Sequence, residues 1–119
     1  MLDLISRYRE IIKDFHVLLY DQEGERYRIK IELIFKDDSK LFIKEYLFEN
    51  NERKYAYHWS DISGILICRW DNASHWRNIG TFPHHKHIKN NEVIASVETI
   101  LEDVLQKISN LMKAGYVDP

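Results

Sequence analysis

Between positions 26 and 35 the side chains alternate, Tyr27, Ile29, Ile31, Leu33 and Phe35 against Arg26, Arg28, Lys30, Glu32 and Ile34. A period of two is the mark of a strand with one buried face. More of the same follows. Asp37-Asp38-Ser39, Asn50-Asn51-Glu52 and Asp61-Ile62-Ser63-Gly64 are turn sequences, and they separate strands predicted over 40–48, 54–60 and 65–70. A shorter strand is predicted at 16–20, closing through 21–25. Such a chain can hardly fold as anything but an antiparallel meander.

At the ends the period changes. Leu4, Ile5, Tyr8, Ile11, Ile12 and Phe15 recur every three or four residues, which predicts a helix over 2–14. Val97, Leu101, Val104, Leu105, Ile108, Leu111 and Met112 predict a second helix, with Ser96 as its N-cap and Gly115 just past its end. The fold class is therefore α+β: an antiparallel meander of four to five strands with the N- and C-terminal helices packed on one face, in one domain over 1–119.

Pairing the strands about their turns sets Glu32 near Lys44, Lys30 near Tyr46, Lys44 near His58, Tyr46 near Ala56 and Ala56 near Arg69. One face then carries Tyr27, Ile29, Ile31, Leu33, Leu41, Ile43, Leu47, Tyr55, Tyr57, Trp59, Leu66, Cys68 and Trp70. It is the core face, covered by the helices, and Glu45 is a misfit on it. The open face carries Arg28, Lys30, Lys44, Tyr46, Phe48, His58, Arg69 and Asp71. Cations interleaved with aromatic rings suit RNA, since lysine and arginine meet phosphates while rings stack on unpaired bases. The plainer reading is a solvated sheet face.

Beside that face runs the densest chemistry of the chain: Arg69-Trp70-Asp71-Asn72-Ala73-Ser74-His75-Trp76, and then Phe82-Pro83-His84-His85-Lys86-His87. Histidine titrates near pH 7 and can act as acid, base or ligand. Two histidines and a cation could cleave RNA without metal: one removes the 2′-OH proton, another protonates the leaving oxygen, and the cation holds the phosphate charge. His58 or His75 would be the base, one of His84, His85 and His87 the acid, and Arg69 the clamp. Arg28, Lys30, Lys44, Tyr46 and Lys86 would hold the strand. No cofactor is expected. The alternative is a divalent metal held by His75, His84, His85, His87 and Asp71, although the spacing follows no helical metal motif. Equally, Asp71-Asn72 could simply cap a turn.

Other classes fare worse. The net charge of −2 gives no global pull toward nucleic acid, so any RNA site must be local. The single cysteine, Cys68, rules out an internal disulfide and fits a reducing compartment. It falls on the core face, and with only four glycines and no phosphate-binding loop, nucleophilic and nucleotide-cofactor chemistry are disfavoured. No apolar run is long enough to span a membrane and no signal peptide is evident, so the expected location is the cytoplasm.

Through Tyr57-His58-Trp59, Arg69-Trp70-Asp71-Asn72-Ala73 with His75, and Phe82-Pro83-His84-His85-Lys86-His87, the chain resembles the TumE-like toxin-component family of prokaryotic toxin–antitoxin modules. The family's central motif has proline where this chain has Ser74 and histidine where it has Trp76, so no role carries over to Trp76. The resemblance implies a small cytoplasmic toxin, silenced by a co-encoded antitoxin, with ribonuclease activity as the expectation. The rivals are a metal-dependent nuclease, a nucleotidyl-transferring toxin, and a non-catalytic module that binds RNA or protein. An acidic antitoxin segment would cover Arg28, Lys30, Lys44 and Arg69. Oligomeric state is not readable.

Overall fold

The computed structural model describes residues 1–115. It is α+β, in the order α1 (Leu2–Arg7), β1 (Ile12–Glu23), β2 (Arg26–Phe35), β3 (Lys40–Leu47), β4 (Arg53–Ser60), β5 (Leu66–Asp71), β6 (His85–His87), β7 (Val93–Ala95) and α2 (Leu101–Lys113). The strands form one antiparallel meander in sequence order. It has seven strands rather than four or five.

Tight loops build it. Phe35 N–H donates to the Ser39 carbonyl (2.8 Å), Phe48 to Glu52 (2.9 Å), Asp61 to Ile65 (2.8 Å) and Ile88 to Glu92 (2.9 Å), so each pair closes a three-residue loop. The last residue of each loop, Asp38, Asn51, Gly64 or Asn91, has a positive φ of 60–83°. Three-residue hairpins need that left-handed residue, and Asp, Asn and Gly tolerate it best.

These loops also correct the predicted register. They occupy 36–38 and 49–51, one residue earlier than the turns read from sequence, and a one-residue move of the loop shifts pairing by two. Lys30 therefore opposes Lys44, Arg28 opposes Tyr46, Lys44 opposes Ala56 and Phe42 opposes His58, while a bulge between Trp59 and Ser60 sets His58 opposite Arg69. A shift of two leaves every side chain on its predicted face. Ile31, Leu33, Leu41, Ile43, Tyr55, Tyr57, Trp59, Cys68 and Trp70 are buried, packed with Ile5 of α1 and Leu101, Val104, Leu105, Ile108 and Leu111 of α2. Burial pushes the Cys68 thiol up to about 12, which makes it an inert core group. Glu45 has partners after all: it accepts a hydrogen bond from Tyr57 Oη and lies 3.5 Å from Arg53.

The termini depart more. Helix α1 ends at Arg7 instead of 14, and β1 begins at Ile12 and runs to Glu23. Ile12 is buried and fits both periods, while a bulge between Val17 and Leu19 breaks the alternation that would have revealed the strand. Ser96 does not cap α2. Its Oγ donates to the Glu98 carbonyl (2.8 Å), and Val97 is 81% exposed. The helix starts only after Ile100, whose backbone is extended, and Glu98 just before it is anchored in the core, as described below. Gly115, at φ 75°, does follow the helix end.

Candidate functional site

Strand β6 turns His85-Lys86-His87 into a two-faced element. Asp71 opposes His85 and Arg69 opposes His87, so both imidazoles join Asp71, Arg69 and His58 on the open face. Lys86, between them, points to the helix side.

The central motif divides its labour along the same alternation. Trp70 packs in the core and donates its indole N–H to Glu98 (3.1 Å). Asn72 extends the sheet past the strand end: its Oδ1 accepts from Tyr55 N–H (2.9 Å) and its Nδ2 donates to the Arg53 carbonyl (2.7 Å), replacing two backbone partners. Ala73 N–H donates to Asp71 Oδ1 (3.0 Å), and Arg69 Nε donates to Asp71 Oδ2 (3.2 Å). So Asp71 does close a turn, as the plainer reading had it, and it also faces two histidines. Its Oδ1 lies 2.8 Å from His85 Nε2, and its Oδ2 lies 3.3 Å from His87 Nε2.

The other side of Arg69 faces His58, with Nη1 3.4 Å from the imidazole Nδ1. An N–H there can only meet a lone pair, so Nδ1 is unprotonated in this arrangement. Burial, then the guanidinium of Arg69 and the neighbouring His87, hold His58 below the usual histidine range. His87 is also lowered, by burial first, with Asp71 opposing. Both imidazoles are therefore biased toward the neutral form.

Of the seven residues predicted to be catalytic, five come together: His58, Arg69, Asp71, His85 and His87. His84 does not. It lies on the helix side, its Nδ1 2.8 Å from Tyr55 Oη and its ring stacked on Tyr55. His75 is exposed on the connection after β5, and no contact ties it to the group. Lys86, expected to meet RNA, is buried with its Nζ 2.8 Å from Glu98 Oε1. Burial opposes the charge of Glu98, but the hydrogen bonds from Lys86 and Trp70 outweigh it and hold the carboxyl below the usual glutamate range.

Trp76 went unassigned in the sequence, yet its ring sits edge-on to both His85 and His87 at 6.3 Å between centroids. Only its closeness to the histidine-rich segment hinted at this. It roofs the pair while 38% of it remains exposed.

Away from this group, Lys30 directly opposes Lys44, and neither has an ion-pair partner among the described residues. Like charges set opposite one another disfavour a sheet, so the pair keeps two positive charges side by side on the open face. Lys44 Nζ lies 5.0 Å from the Tyr46 ring centroid. Arg28 is less available, being paired with Asp21 at 2.8 Å.

A family model described as toxin TumE matches residues 1–112. The chain belongs to the TumE toxin family. No curated protein and no solved structure matches it. Family membership makes this chain a toxin component and implies an antitoxin as its counterpart. Among the described residues of this toxin, no helix is long and apolar enough to cross a membrane.

Proposed function

We propose that this toxin arrests its host by cutting RNA, with the scissile phosphate held on Arg69 between His58 and the Asp71–His85–His87 group. One observation carries the reading: a cation and a neutral imidazole share a cross-strand pair, His58 opposite Arg69, beside a carboxylate–histidine cluster on the same face. When Arg69 turns to a phosphate it frees the Nδ1 lone pair of His58. That nitrogen takes the proton of the adjacent 2′-OH. The 2′-oxygen bonds to phosphorus, the bond from phosphorus to the 5′-oxygen breaks, and the leaving oxygen is protonated on the far side. There it meets the Asp71–His85–His87 group, of which only His87 is open enough to touch substrate, and the proton comes from the minor imidazolium form of His87, which Asp71 stabilises. His85 is 1% exposed.

The rest of the strand would follow one row of the sheet, from Asp71 across Ala56 to Lys44 and Lys30. Adjacent strands are about 4.8 Å apart, so Lys44 serves a phosphate roughly two strands from the reaction centre. The same lysines, being unpaired, would recruit an acidic antitoxin segment, and added salt would slow that association.

Purified toxin incubated with single-stranded RNA should release fragments ending in 2′,3′-cyclic phosphate, and His58→Ala should abolish them. Intact RNA removes the reading. Binding without cleavage would make this face a docking surface.

A further inference from the structure

His85 holds the one buried side-chain nitrogen or oxygen without a hydrogen bond among the described residues, its Nε2. The reason is local. Its Nδ1 lies 2.9 Å from the Pro83 carbonyl, which can only accept, so the Nδ1 proton is committed there. Asp71 Oδ1 lies 2.8 Å from Nε2, but off the direction in which an Nε2 proton would point. A bare lone pair and a carboxylate oxygen at this distance repel each other, and leaving a buried polar atom unpaired is unfavourable. Something positive between them would convert the repulsion into two bonds.

A metal ion fits. His87 Nε2 completes a set of three donor atoms, all within 4.8 Å of one another. Asp71 lies 2.8 Å from His85 Nε2 and 3.3 Å from His87 Nε2, separations that two donors can span at one ion with bonds of about 2.0–2.1 Å. Two imidazoles and one carboxylate leave the ion's other positions open. The surroundings are those that orient ligands in metal sites. The Pro83 carbonyl fixes the His85 tautomer, and Ala73 N–H and Arg69 Nε each anchor one oxygen of Asp71. Trp76 shields both imidazoles from one side.

We propose that Asp71, His85 and His87 bind one divalent transition-metal ion, its free positions turned to the open face. Such an ion stabilises negative charge on an oxygen placed against it. The site uses His87, which the RNA reading sets against the leaving oxygen, so its test is binding, which succeeds or fails apart from cleavage.

Tag-free toxin, stripped with chelator, is titrated calorimetrically with Mn²⁺ and, separately, Zn²⁺. One equivalent should bind per chain. Affinity should fall at least about tenfold in His87→Ala and in Asp71→Asn, and stay unchanged in His75→Ala. His87→Ala alters a partly exposed position, so it reports even if a variant at Asp71 fails to fold. In nitrogen-detected spectra, Zn²⁺ should shift Nε2 of His85 and His87 while Nδ1 of His85 keeps its proton. Failure to bind, affinity indifferent to His87→Ala, affinity lost in His75→Ala, or a metal-free His85 protonated on both nitrogens would each overturn the proposal. Toxin that binds the ion yet leaves RNA intact keeps this site and removes the RNA reading. RNA cut by toxin that binds no metal does the reverse.

Discussion

Strands β5 and β6 carry two polar groups on opposite faces, built from alternate residues. On the helix side Glu98 accepts from both Lys86 Nζ and Trp70 Nε1, and nearby Arg53 donates to the Thr99 carbonyl (2.7 Å) and Tyr57 Oη (3.0 Å). These groups are closed, with charges paired and donors used. On the open side Asp71 is shared among Arg69, Ala73, His85 and His87, His85 Nε2 is unsatisfied, and His58 meets Arg69 only at 3.4 Å. A closed polar group holds a fold together. An open one, kept at some cost to stability, is where a substrate, ion or partner completes the bonding.

The contrast breaks first, and most visibly, at Glu98. Removing it in Glu98→Ala strands the Lys86 ammonium and the Trp70 N–H in the core, with an expected loss of about 3–5 kcal/mol in urea unfolding. His87→Ala, on the open side, should cost under about 1 kcal/mol. Equal costs would erase the distinction. Asn72→Ala comes next. Two buried backbone groups lose their partner, for about 1–3 kcal/mol, and protection of the Tyr55 amide against hydrogen exchange should fall with it.

Acid sharpens the helix side further. Because Glu98 is held below its ordinary value of 4.5, its contribution is complete above that pH and is lost as pH falls through the lower folded-state value. Wild-type stability should therefore drop steeply below about pH 4.5, and the part of the drop due to Glu98 should vanish in Glu98→Gln. The smallest effect is on the open side. His58 should titrate below 6.5 by NMR, and Arg69→Gln should move it upward by removing a neighbouring positive charge.

Both faces could be read from the sequence because parity survives errors of register. Tyr55, Tyr57, Trp59, Cys68 and Trp70 against His58, Arg69 and Asp71 came out correctly although every pairing was two residues off. What stayed hidden was tertiary. Three-residue strands such as β6 and β7 are too short to show a period, so His-Lys-His reads as a loop until β5 pairs with it. An extended backbone already puts His84 on the side opposite His85 and His87, but without that strand nothing says which side meets the helices or sends His84 to Tyr55. Trp76 was invisible for the same reason. At the N-terminus, Ile12 serves a helical and a strand period equally well, and only the structure shows where one gives way to the other.

Growth of a host expressing the toxin tests the central claim most directly, provided each variant is shown to be folded. Arrest should be relieved by His58→Ala or Arg69→Ala on the open face, and retained in His75→Ala and His84→Ala, which alter histidines outside the group. Arrest that survives both open-face changes, or that depends on His84 with the fold intact, would place the toxic chemistry elsewhere.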